Sequence, residues 1–537
     1  MQNPDEICMQ RMEWEKAVFS PMPRKNALLQ LQPPWPLKKT RINVRRNHGF
    51  EVLKDPLRVF LNYAGIEPVV ACGAYDDSLS FQDNLPSADI EILWLDLDKY
   101  TMNSADLLFW LKTRLADLRK QTTAPLLFVS WPGTGPSAGS FDGLPGLCFC
   151  DFKSAMKGYN GKILDPRLEA VTGTRLAAPT QLLLARALGL VWIPAASALP
   201  VKAVVFDLDN TLYGGVLGES GIEGVESDSA YQSLQRHAAK LRKRGLFLGL
   251  SSKNDSRDVK AFFETRKDLA IKLEDFSAQE ISWQPKSTGI AKIASALRVG
   301  IDSILFVDDN PAELLEVSNV YPDIRTLLAR SPAETLFALE LFPGLFRWKT
   351  TAEDIGRIRD LEAVSKRTGT TAGTDYLATL GTEVEFYLNP SSQLTRISEL
   401  LNKTNQFNLT LLRLNEAEVS KHMKSGTFFV TAGLRDRLSD SGIISLVMAH
   451  IDGVDVIVDN VCISCRALGR GLEDYLIRQS LAGIKKHSGL ENPQEILHFV
   501  EGPRNAPAKA WYDKTKSREP ESASNSFLPV KSTWHIP

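Results

Sequence analysis

Short apolar runs recur through the middle of the chain, and several of them end in acidic or hydroxyl residues. Residues 203–206, 245–250 and 303–307 are the clearest runs, and residues 231–244 between the first two have the apolar spacing of a helix. Runs of this length are typical of strands buried on both faces of a parallel sheet. The alternation of strands and helices predicts a Rossmann-like parallel α/β domain over residues 199–345.

Predicted strands and helices also alternate in the regions on either side of this domain, but the residue patterns of these regions differ. Before it, residues 53–198 predict a second α/β domain. After it, residues 346–490 predict a mixed α/β domain whose strands are rich in β-branched residues. The predicted strands are 57–61, 69–72, 90–95, 126–129, 384–388, 428–433, 443–450 and 454–462, and the predicted helices are 105–120, 361–368, 392–402 and 472–484.

The two ends of the chain show no such periodicity. Residues 1–52 contain a P-P-W-P stretch and a run of basic residues, and predict an irregular N-terminal arm. Residues 491–537 predict a C-terminal tail. The apolar stretch 187–201 contains Pro194 and Pro200 and is shorter than the ~20 residues that span a bilayer, so we interpret it as a helix end and a linker.

Composition argues against some classes of function but does not identify the function. The 537 residues are 43% hydrophobic and 24% charged, as in globular proteins of about three domains. A formal net charge of -1 gives no electrostatic case for nucleic-acid binding. No secretory signal or membrane span is predicted, and six cysteines are few for this length, so a cytoplasmic location is expected.

The richest chemistry follows the run 203–206, in the sequence D-L-D-N-T. Asp207 and Asp209 are two residues apart and therefore point the same way at the end of a strand, and Thr211 follows. Buried carboxylates need a partner, and a divalent cation such as Mg²⁺ prefers oxygen ligands. By itself the D-x-D pair is equally typical of a solvated surface turn.

Three further features follow in order along the chain. The second run leads into Ser251-Ser252-Lys253-Asn254, Lys286 lies in W-Q-P-K-S, and the third run leads into Asp308-Asp309. This set resembles the four motifs of the haloacid dehalogenase (HAD) superfamily. The resemblance implies a phosphatase or phosphotransferase with Asp207 as nucleophile and Asp209 as acid and base. It also implies that Ser252 (alternatively Ser251) and Lys286 act in catalysis and that Thr211 and Asn254 bind the substrate. The ligands it implies for magnesium are Asp207, Asp209, Asp308 and Asp309.

The outer domains have weaker resemblances. Residues 53–198 resemble a degenerate SGNH-hydrolase domain, in which a nucleophilic serine follows the first strand. Residues 61–65, after the predicted first strand, read L-N-Y-A-G, and no histidine lies near Asp165, so we expect a catalytically inactive domain. The sequence C-R-A-L-G-R-G at 465–471 resembles the pyrophosphate loop of GNAT acyltransferases, which implies anion binding at Arg466, Gly469 and Gly471.

The order SGNH-like, HAD, GNAT-like resembles the FkbH-like proteins of polyketide pathways. That resemblance implies transfer of a glyceryl unit from 1,3-bisphosphoglycerate to the phosphopantetheine thiol of an acyl carrier protein. If Asp207 attacked the acyl phosphate, the activated acyl group would be lost, so we assign Asp207 to removal of the phosphomonoester. A thiol would then take the acyl carbon.

Several alternatives stay open. Cys465 is the candidate relay thiol, or else a small buried residue, and direct transfer to the carrier needs no protein cysteine. Asn405, in N-K-T-N-Q-F-N, binds the hydroxyacyl unit or caps a helix. The competing function is a phosphatase fused to an acyl-CoA-dependent N-acyltransferase in surface-polysaccharide or other metabolite assembly.

Overall fold

The structure is a computed structural model that describes residues 4–133, 135–197, 200–351, 354–358, 361, 381–437, 440–468, 470–490, 493–517 and 530–536. The chain divides into two compact units, residues 1–349 and 350–537. The first unit contains two parallel sheets, and the second contains a mixed sheet. The predicted fold class, parallel α/β sheets followed by a mixed α/β part, is therefore confirmed.

The first sheet has five parallel strands in the order β2-β1-β3-β4-β5. This is the order of flavodoxin-like doubly wound sheets, whose switch point lies between β1 and β3. Its strands are β1 (Lys38–Arg46), β2 (Ile66–Tyr75), β3 (Ile90–Trp94), β4 (Leu126–Val129) and β5 (Leu147–Cys150).

The prediction of an irregular N-terminal arm is wrong for the described residues of 1–52. They form helix α1 (Pro4–Val18), helix α2 (Lys25–Leu29) and strand β1, and helix α3 starts at Glu51. Strand β1 lies between β2 and β3, although five of its nine residues are lysine or arginine. Thr40, Ile42 and Val44 are buried, but so are Asn43 and Arg45, and these polar and charged residues interrupt the apolar pattern in the sequence.

The strand predicted over 57–61 is also wrong, because these residues belong to helix α3 (Glu51–Tyr63). Leu53, Leu57 and Leu61 are all buried and share one helix face, since they are four residues apart. A short apolar run does not distinguish a strand from a buried helix by itself. The other three strands predicted for this sheet, and the helix over 105–120, are confirmed within a few residues.

The second sheet has five parallel strands in the order β10-β9-β6-β7-β8. The central strand β6 is fully buried, as are its neighbours β7 and β9, which explains their uninterrupted apolar sequence. The strands are β6 (Ala203–Phe206), β7 (Phe247–Ser252), β8 (Ala278–Ile281), β9 (Ile304–Asp308) and β10 (Arg325–Leu328).

The helices of the first unit connect these strands and cover the sheets. The two sheets share one continuous cluster of buried apolar residues that reaches from Trp14 to Leu345. The remaining helices are α4 (Ser104–Gln121), α5 (Phe152–Ala155), α6 (Glu169–Thr172), α7 (Ala178–Arg186), α8 (Ile193–Ser197), α9 (Leu217–Gly224), α10 (Ser229–Lys243), α11 (Ser256–Thr265), α12 (Lys286–Leu297), α13 (Pro311–Val320) and α14 (Pro332–Leu341).

One helical stretch, Ala178–Ser197, is long and apolar enough to cross a membrane by length and composition alone. It joins α7 to α8 through a π-helical segment, Ala187–Trp192. In the protein 78% of its most apolar window is buried. Its apolar character is accounted for by packing inside the first unit, as in the core helix of a globular protein.

The second unit is built on a mixed sheet in the order β12-β15-β14-β13-β11-β17, with β16 beside β15. Its four predicted strands and the helices predicted at 392–402 and 472–484 are confirmed, whereas almost all of the helix predicted at 361–368 lies outside the described residues. The elements are β11 (Glu383–Leu388), α15 (Leu394–Lys403), β12 (Phe407–Asn408), α16 (Glu416–Lys424), β13 (Phe428–Arg435), β14 (Asp440–Asp452), β15 (Asp455–Ile463), α17 (Glu473–Ser488), β16 (Glu495–Leu497), α18 (Ala506–Lys516) and β17 (Lys531–His535).

The prediction of a C-terminal tail over 491–537 is wrong for its described residues. They contain β16, α18 and β17, and β17 pairs in parallel with β11 at the edge of the sheet. Trp534 on β17 stacks on Phe386 with ring centroids 4.9 Å apart. A Cβ atom at Gly483 would overlap the Trp534 ring, so the glycine on α17 makes room for this side chain.

Candidate active site

Strand β6 delivers Asp207 to the carboxyl edge of the second sheet, and β9 delivers Asp308 beside it. Asp207 and Asp308 are 7% and 1% exposed. Both follow strands that are buried on both faces, so the carboxylates leave the sheet inside the protein rather than in solvent. Ligands of open α/β sheets bind at this edge.

Lys286 joins these two carboxylates. It begins helix α12, and its Nζ donates to Asp207 Oδ1 at 2.5 Å, to Asp308 Oδ2 at 3.0 Å and to the Ser251 carbonyl at 2.7 Å. Helix α12 approaches the sheet closely at Gly249, where a Cβ atom would lie 3.1 Å from the Ile293 side chain of that helix. The predicted meeting of Asp207, Lys286 and Asp308 is therefore present in the structure.

Burial controls the electrostatics of the site. It raises the pKa of Asp207 above its ordinary value, although the Lys286 ammonium opposes the shift. Burial and the nearby Asp207 charge raise the pKa of Asp308 to about 7. Burial would lower the pKa of Lys286, but the two aspartates outweigh it and the pKa is raised, so the lysine stays a cation.

Three carboxylates form a set that fits a divalent cation. One oxygen each from Asp207, Asp308 and Asp309 lies within 4.8 Å of the others. Burial and then Asp207 also raise the pKa of Asp309. Three acids against one ammonium leave an excess of negative charge, and all the donors are the hard oxygens that Mg²⁺ prefers. These residues fit a magnesium ion.

Asp209, predicted both as a magnesium ligand and as the acid/base, belongs to a separate network. Its Oδ1 accepts from the Tyr213 hydroxyl at 2.7 Å and from the Leu217 backbone N–H at 3.1 Å. Its Oδ2 accepts from Asn254 Nδ2 at 2.9 Å. The structure therefore does not place the Asp209 side chain in the carboxylate cluster, because three donors hold it to one side.

Asn254, predicted to bind substrate, donates to Asp209 and Ser252 in the structure, and its substrate role stays a prediction. It is 4% exposed, and its amide also donates to Ser252 Oγ at 3.0 Å. Ser252 thus shares the network of Asp209, whereas the Ser251 hydroxyl lies against the position of Gly289. This geometry favours Ser252 over Ser251 as the hydroxyl that faces the site.

Thr211, predicted to bind substrate, is buried and lies close to Asp209 in the sequence, and its substrate role stays a prediction. It is 1% exposed, and its hydroxyl has no hydrogen-bond partner among the described residues. A buried hydroxyl without a partner is costly, so a partner supplied by a ligand would stabilise it. Thr211 follows a left-handed residue, Asn210, with φ 52°, which turns the chain sharply after Asp209.

Sequence reasoning missed two groups at this edge. Tyr213 holds Asp209 and is buried, and burial raises its pKa well above the ordinary value, so it stays a donor. Its position four residues after Asp209, in the same motif, was the available signal. Glu316 accepts from the Ser287 backbone N–H at 3.0 Å and so caps the helix that Lys286 begins. No sequence pattern pointed to Glu316.

The first sheet has no serine at its switch point. The residues after β1 are Asn47 and His48, both buried, rather than the 61–65 stretch considered above, which ends helix α3. Arg175 binds Asp96, which follows β3, through two hydrogen bonds of 2.9 and 2.7 Å. This edge is filled by internal partners. The inactivity of this domain stays a prediction.

In the second unit the predicted anion loop differs from its expected geometry. Helix α17 begins at Glu473, eight residues after Cys465, so the thiol does not lie at the helix N-terminus. Gly471 has φ 70° and lies just before the helix, and Gly469 lies outside the described residues.

The polar residues that were predicted to bind ligands in this unit contact other residues of the same unit in the structure. Arg466 is buried and lies 3.5 Å from both the Ser464 hydroxyl and the Ile443 carbonyl. The Asn405 carbonyl accepts from Arg413 at 2.7 Å, so its side chain ties two loops of the unit together. The roles of Cys465, Arg466 and Asn405 stay predictions.

Together, the fold and the site define an α/β protein with a carboxylate and lysine centre at the carboxyl edge of a doubly wound parallel sheet. The sequence matches no protein-family model, and no curated protein matches it. Among solved structures, the chain is similar to the N-terminal part of BF1531 from Bacteroides fragilis, which contains a phosphatase domain and was crystallised with Mg. The identity is 19% over 65% of this chain and 100% of that one, with a TM-score of 0.47.

Two further solved structures are similar at lower TM-scores. One is a protein from Corynebacterium glutamicum, with 15% identity over 26% of this chain and 95% of that one, and a TM-score of 0.20. The other is a fungal multi-domain GH3 β-N-acetylglucosaminidase with a GCN5-related glucosamine N-acetyltransferase region. It shows 10% identity over 96% of this chain and 68% of that one, with a TM-score of 0.18.

Proposed function

We propose that the second sheet carries a magnesium-dependent phosphatase site of HAD type. The observation that carries this proposal is the position of Lys286, whose ammonium contacts both Asp207 and Asp308. The Lys286 ammonium lies beside Asp207 and is also a cation that attracts a phosphate group. Asp207, Asp308 and Asp309 would hold Mg²⁺, which supplies charge neutralisation for the phosphoryl oxygens.

The residues divide the chemistry as follows. Asp207 attacks phosphorus, and the bond from phosphorus to the leaving oxygen breaks as Asp209 gives that oxygen a proton. The resulting aspartyl-phosphate is hydrolysed when Asp209 takes a proton from water and the water oxygen attacks phosphorus. The bond from phosphorus to the Asp207 oxygen then breaks, which frees the Asp207 carboxylate and inorganic phosphate. Ser252 and Thr211 donate hydrogen bonds to phosphoryl oxygens. Tyr213 and Asn254 fix the position of Asp209 in both steps.

We propose further that this site serves an acyl transfer. The substrate is 1,3-bisphosphoglycerate, and the acceptor is the phosphopantetheine thiol of an acyl carrier protein. The thiolate attacks the acyl carbon and inorganic phosphate leaves, while the phosphatase site removes the remaining phosphomonoester. Support comes from the FkbH-like motif order and from the separate mixed-sheet unit that carries the loop 464–471.

Cys465 is the proposed relay thiol for the acyl group. It lies half-buried in a turn after β15, and no disulfide engages it. If it acts as a relay, Cys465→Ser slows loading of the carrier. Loading at the wild-type rate by this variant would instead mean direct transfer to the carrier thiol.

Intact-mass spectrometry of the carrier protein tests the full proposal. Holo-carrier protein is incubated with the protein, Mg²⁺ and 1,3-bisphosphoglycerate, and a mass gain equal to one glyceryl group is expected. No gain, together with acetyl transfer from acetyl-CoA to an amine, would favour the N-acyltransferase alternative. Both a cytoplasmic location and the carrier partner follow from this proposal.

The phosphatase step has its own test. Asp207→Asn should lower the rate of phosphate release from a phosphomonoester by at least about a thousandfold, because the nucleophile is lost. Asp258→Asn, on the exposed surface of helix α11, is the matched control and should retain the rate. Release that persists in Asp207→Asn would rule out the aspartyl-phosphate route.

A further inference from the structure

A second lysine, Lys253, reaches across the carboxyl end of strand β6, as Lys286 does. Lys253 follows strand β7, and its Nζ lies 2.6 Å from Glu313 Oε1, in the first turn of the helix that follows β9. Strand β6 lies between β7 and β9 in the sheet. The Lys253–Glu313 ion pair therefore spans the end of the strand that delivers Asp207.

The two lysines differ in depth. Lys286 reaches from the Ser251 carbonyl on β7 to Asp308 on β9 and is 4% exposed, so it forms an inner crossing. The Lys253 side chain is 38% exposed and forms an outer crossing on the solvent side. A substrate with its phosphate on Asp207 would extend toward solvent, the side on which the Lys253 side chain is exposed.

Charge indicates what the outer lysine binds. The edge already holds the carboxylates of Asp207, Asp308 and Asp309, and Glu313 adds another that is 16% exposed. An incoming phosphate ester with a second negative group meets repulsion from Glu313. It also meets Lys253, a cation whose ion pair among the described residues is with that carboxylate. Exchanging one anionic partner for another keeps the charge of Lys253 balanced.

We propose that Lys253 recognises a second anionic group on the substrate, a carboxylate or a second phosphate, and that Glu313 holds the lysine until that group replaces it. The inference rests on the proposed phosphatase function and adds the residue that would recognise the anionic tail of the phosphomonoester. A partly exposed ion pair changes an equilibrium constant by up to about fivefold. The exchange is therefore easy, and the preference for a charged tail should be about three- to fivefold.

A matched pair of esters tests the proposal. 3-Phosphoglycerate and glycerol 3-phosphate share the same phosphorylated carbon, but the first ends in a carboxylate where the second ends in a hydroxymethyl group. Wild-type protein with Mg²⁺ should show a higher kcat/KM for 3-phosphoglycerate. Lys253→Met should reduce this preference about three- to fivefold. Lys260→Met, at an exposed lysine on helix α11, should retain it.

Two results would overturn the inference. The first is an equal loss for both esters in Lys253→Met, which would mean that the lysine does not sense the tail. The second is an unchanged KM for 3-phosphoglycerate in Glu313→Gln, because freeing Lys253 should lower that KM several-fold.

A binding measurement separates this inference from the phosphatase proposal. In the Asp207→Asn protein, which cannot form the aspartyl-phosphate, calorimetric titration should show tighter binding of 3-phosphoglycerate than of glycerol 3-phosphate. Adding Lys253→Met should remove that difference. If the difference persists in the double variant, Lys253 is not the recognition group, whatever the rate measurements show about the phosphatase step.

Discussion

At the scale of single residues, the candidate active site depends on one buried ammonium group held between carboxylates. Lys286 contacts Asp207 and Asp308, and both acids are nearly inaccessible to solvent. Removing one partner of a buried ion pair leaves an uncompensated charge, which costs about 3 to 5 kcal/mol. The same carboxylates offer their oxygens to a divalent cation, so the lysine and the cation share one electrostatic task.

Lys286→Met should therefore lower the free energy of unfolding by about 3 kcal/mol near neutral pH, because two buried acids lose their cation. Saturating Mg²⁺ should recover part of this loss. Urea unfolding with and without Mg²⁺ measures both effects. Lys292→Met, on the same helix and with a half-exposed side chain, is the control and should change stability little. Equal stability of the Lys286→Met and wild-type proteins would contradict the buried triad.

His48 provides the pH dependence of the first unit. It is 1% exposed, stacks on Trp94 with centroids 5.0 Å apart, and shares a 2.9 Å hydrogen bond with Thr174. Burial, followed by the charges of Lys99 and Arg175, lowers the pKa of His48 to about 3. The unfolded chain therefore takes up a proton as the pH falls through about 6.5, while the folded chain does not.

The first unit should accordingly lose stability as the pH falls from about 6.5 toward 3, by about 2 kcal/mol at about pH 5. His48→Gln should flatten this part of the profile, although it lowers stability at neutral pH by removing the ring contacts. Urea unfolding at a series of pH values measures the slope. His487→Gln is the control, and an unchanged slope in His48→Gln would show that another group sets the acid lability.

At the scale of elements, prediction succeeded where local pattern and tertiary environment agree. Strands β6, β7 and β9 are buried on both faces, so their apolar runs can be recognised in the sequence. The acids at the ends of β6 and β9 lie at the same edge of the sheet because these strands are parallel. Strand β1 was missed because lysine and arginine interrupt its period. The contacts of Lys253 with Glu313 and of Glu316 with Ser287 could not be predicted, since they depend on how helices pack.

The edge strand β17 makes a prediction for the second unit. Trp534 stacks on Phe386 and fills the space above Gly483, so it should anchor β17 to the mixed sheet. Trp534→Ala should lower the free energy of unfolding by about 2 kcal/mol, less than for a fully buried tryptophan. Trp534→Phe keeps an aromatic ring and should lose less. Thermal unfolding of the two variants measures the difference, and equal values would mean that stacking contributes nothing.

At the scale of the whole molecule, the chain forms two compact units where length and pattern predicted three domains. The reason lies in the N-terminal helix α1, which belongs to the region expected to be irregular. Glu15 on α1 pairs with Arg330 at 3.2 Å, and Cys8 accepts from Ser318 at 3.4 Å. The chain thus connects its first residues to the second sheet, and the two parallel sheets share one core.

A fragment of residues 1–349 should therefore fold cooperatively and carry the proposed Mg²⁺-dependent phosphatase activity, because all the carboxylates of the site lie within it. A fragment of residues 199–349 lacks α1 and should unfold at a lower temperature. Differential scanning calorimetry and phosphate release compare the two. Equal unfolding temperatures would show that α1 does not stabilise the second sheet.

The fit of Trp534 over Gly483 also constrains how this protein varies among its relatives. Any side chain at position 483 would collide with the indole ring, whereas loss of the indole removes the need for a glycine. The two positions are far apart in the sequence, yet neither changes freely while the other is kept. In an alignment of relatives they should vary together, with larger residues at 483 appearing in those chains that have a small residue at 534.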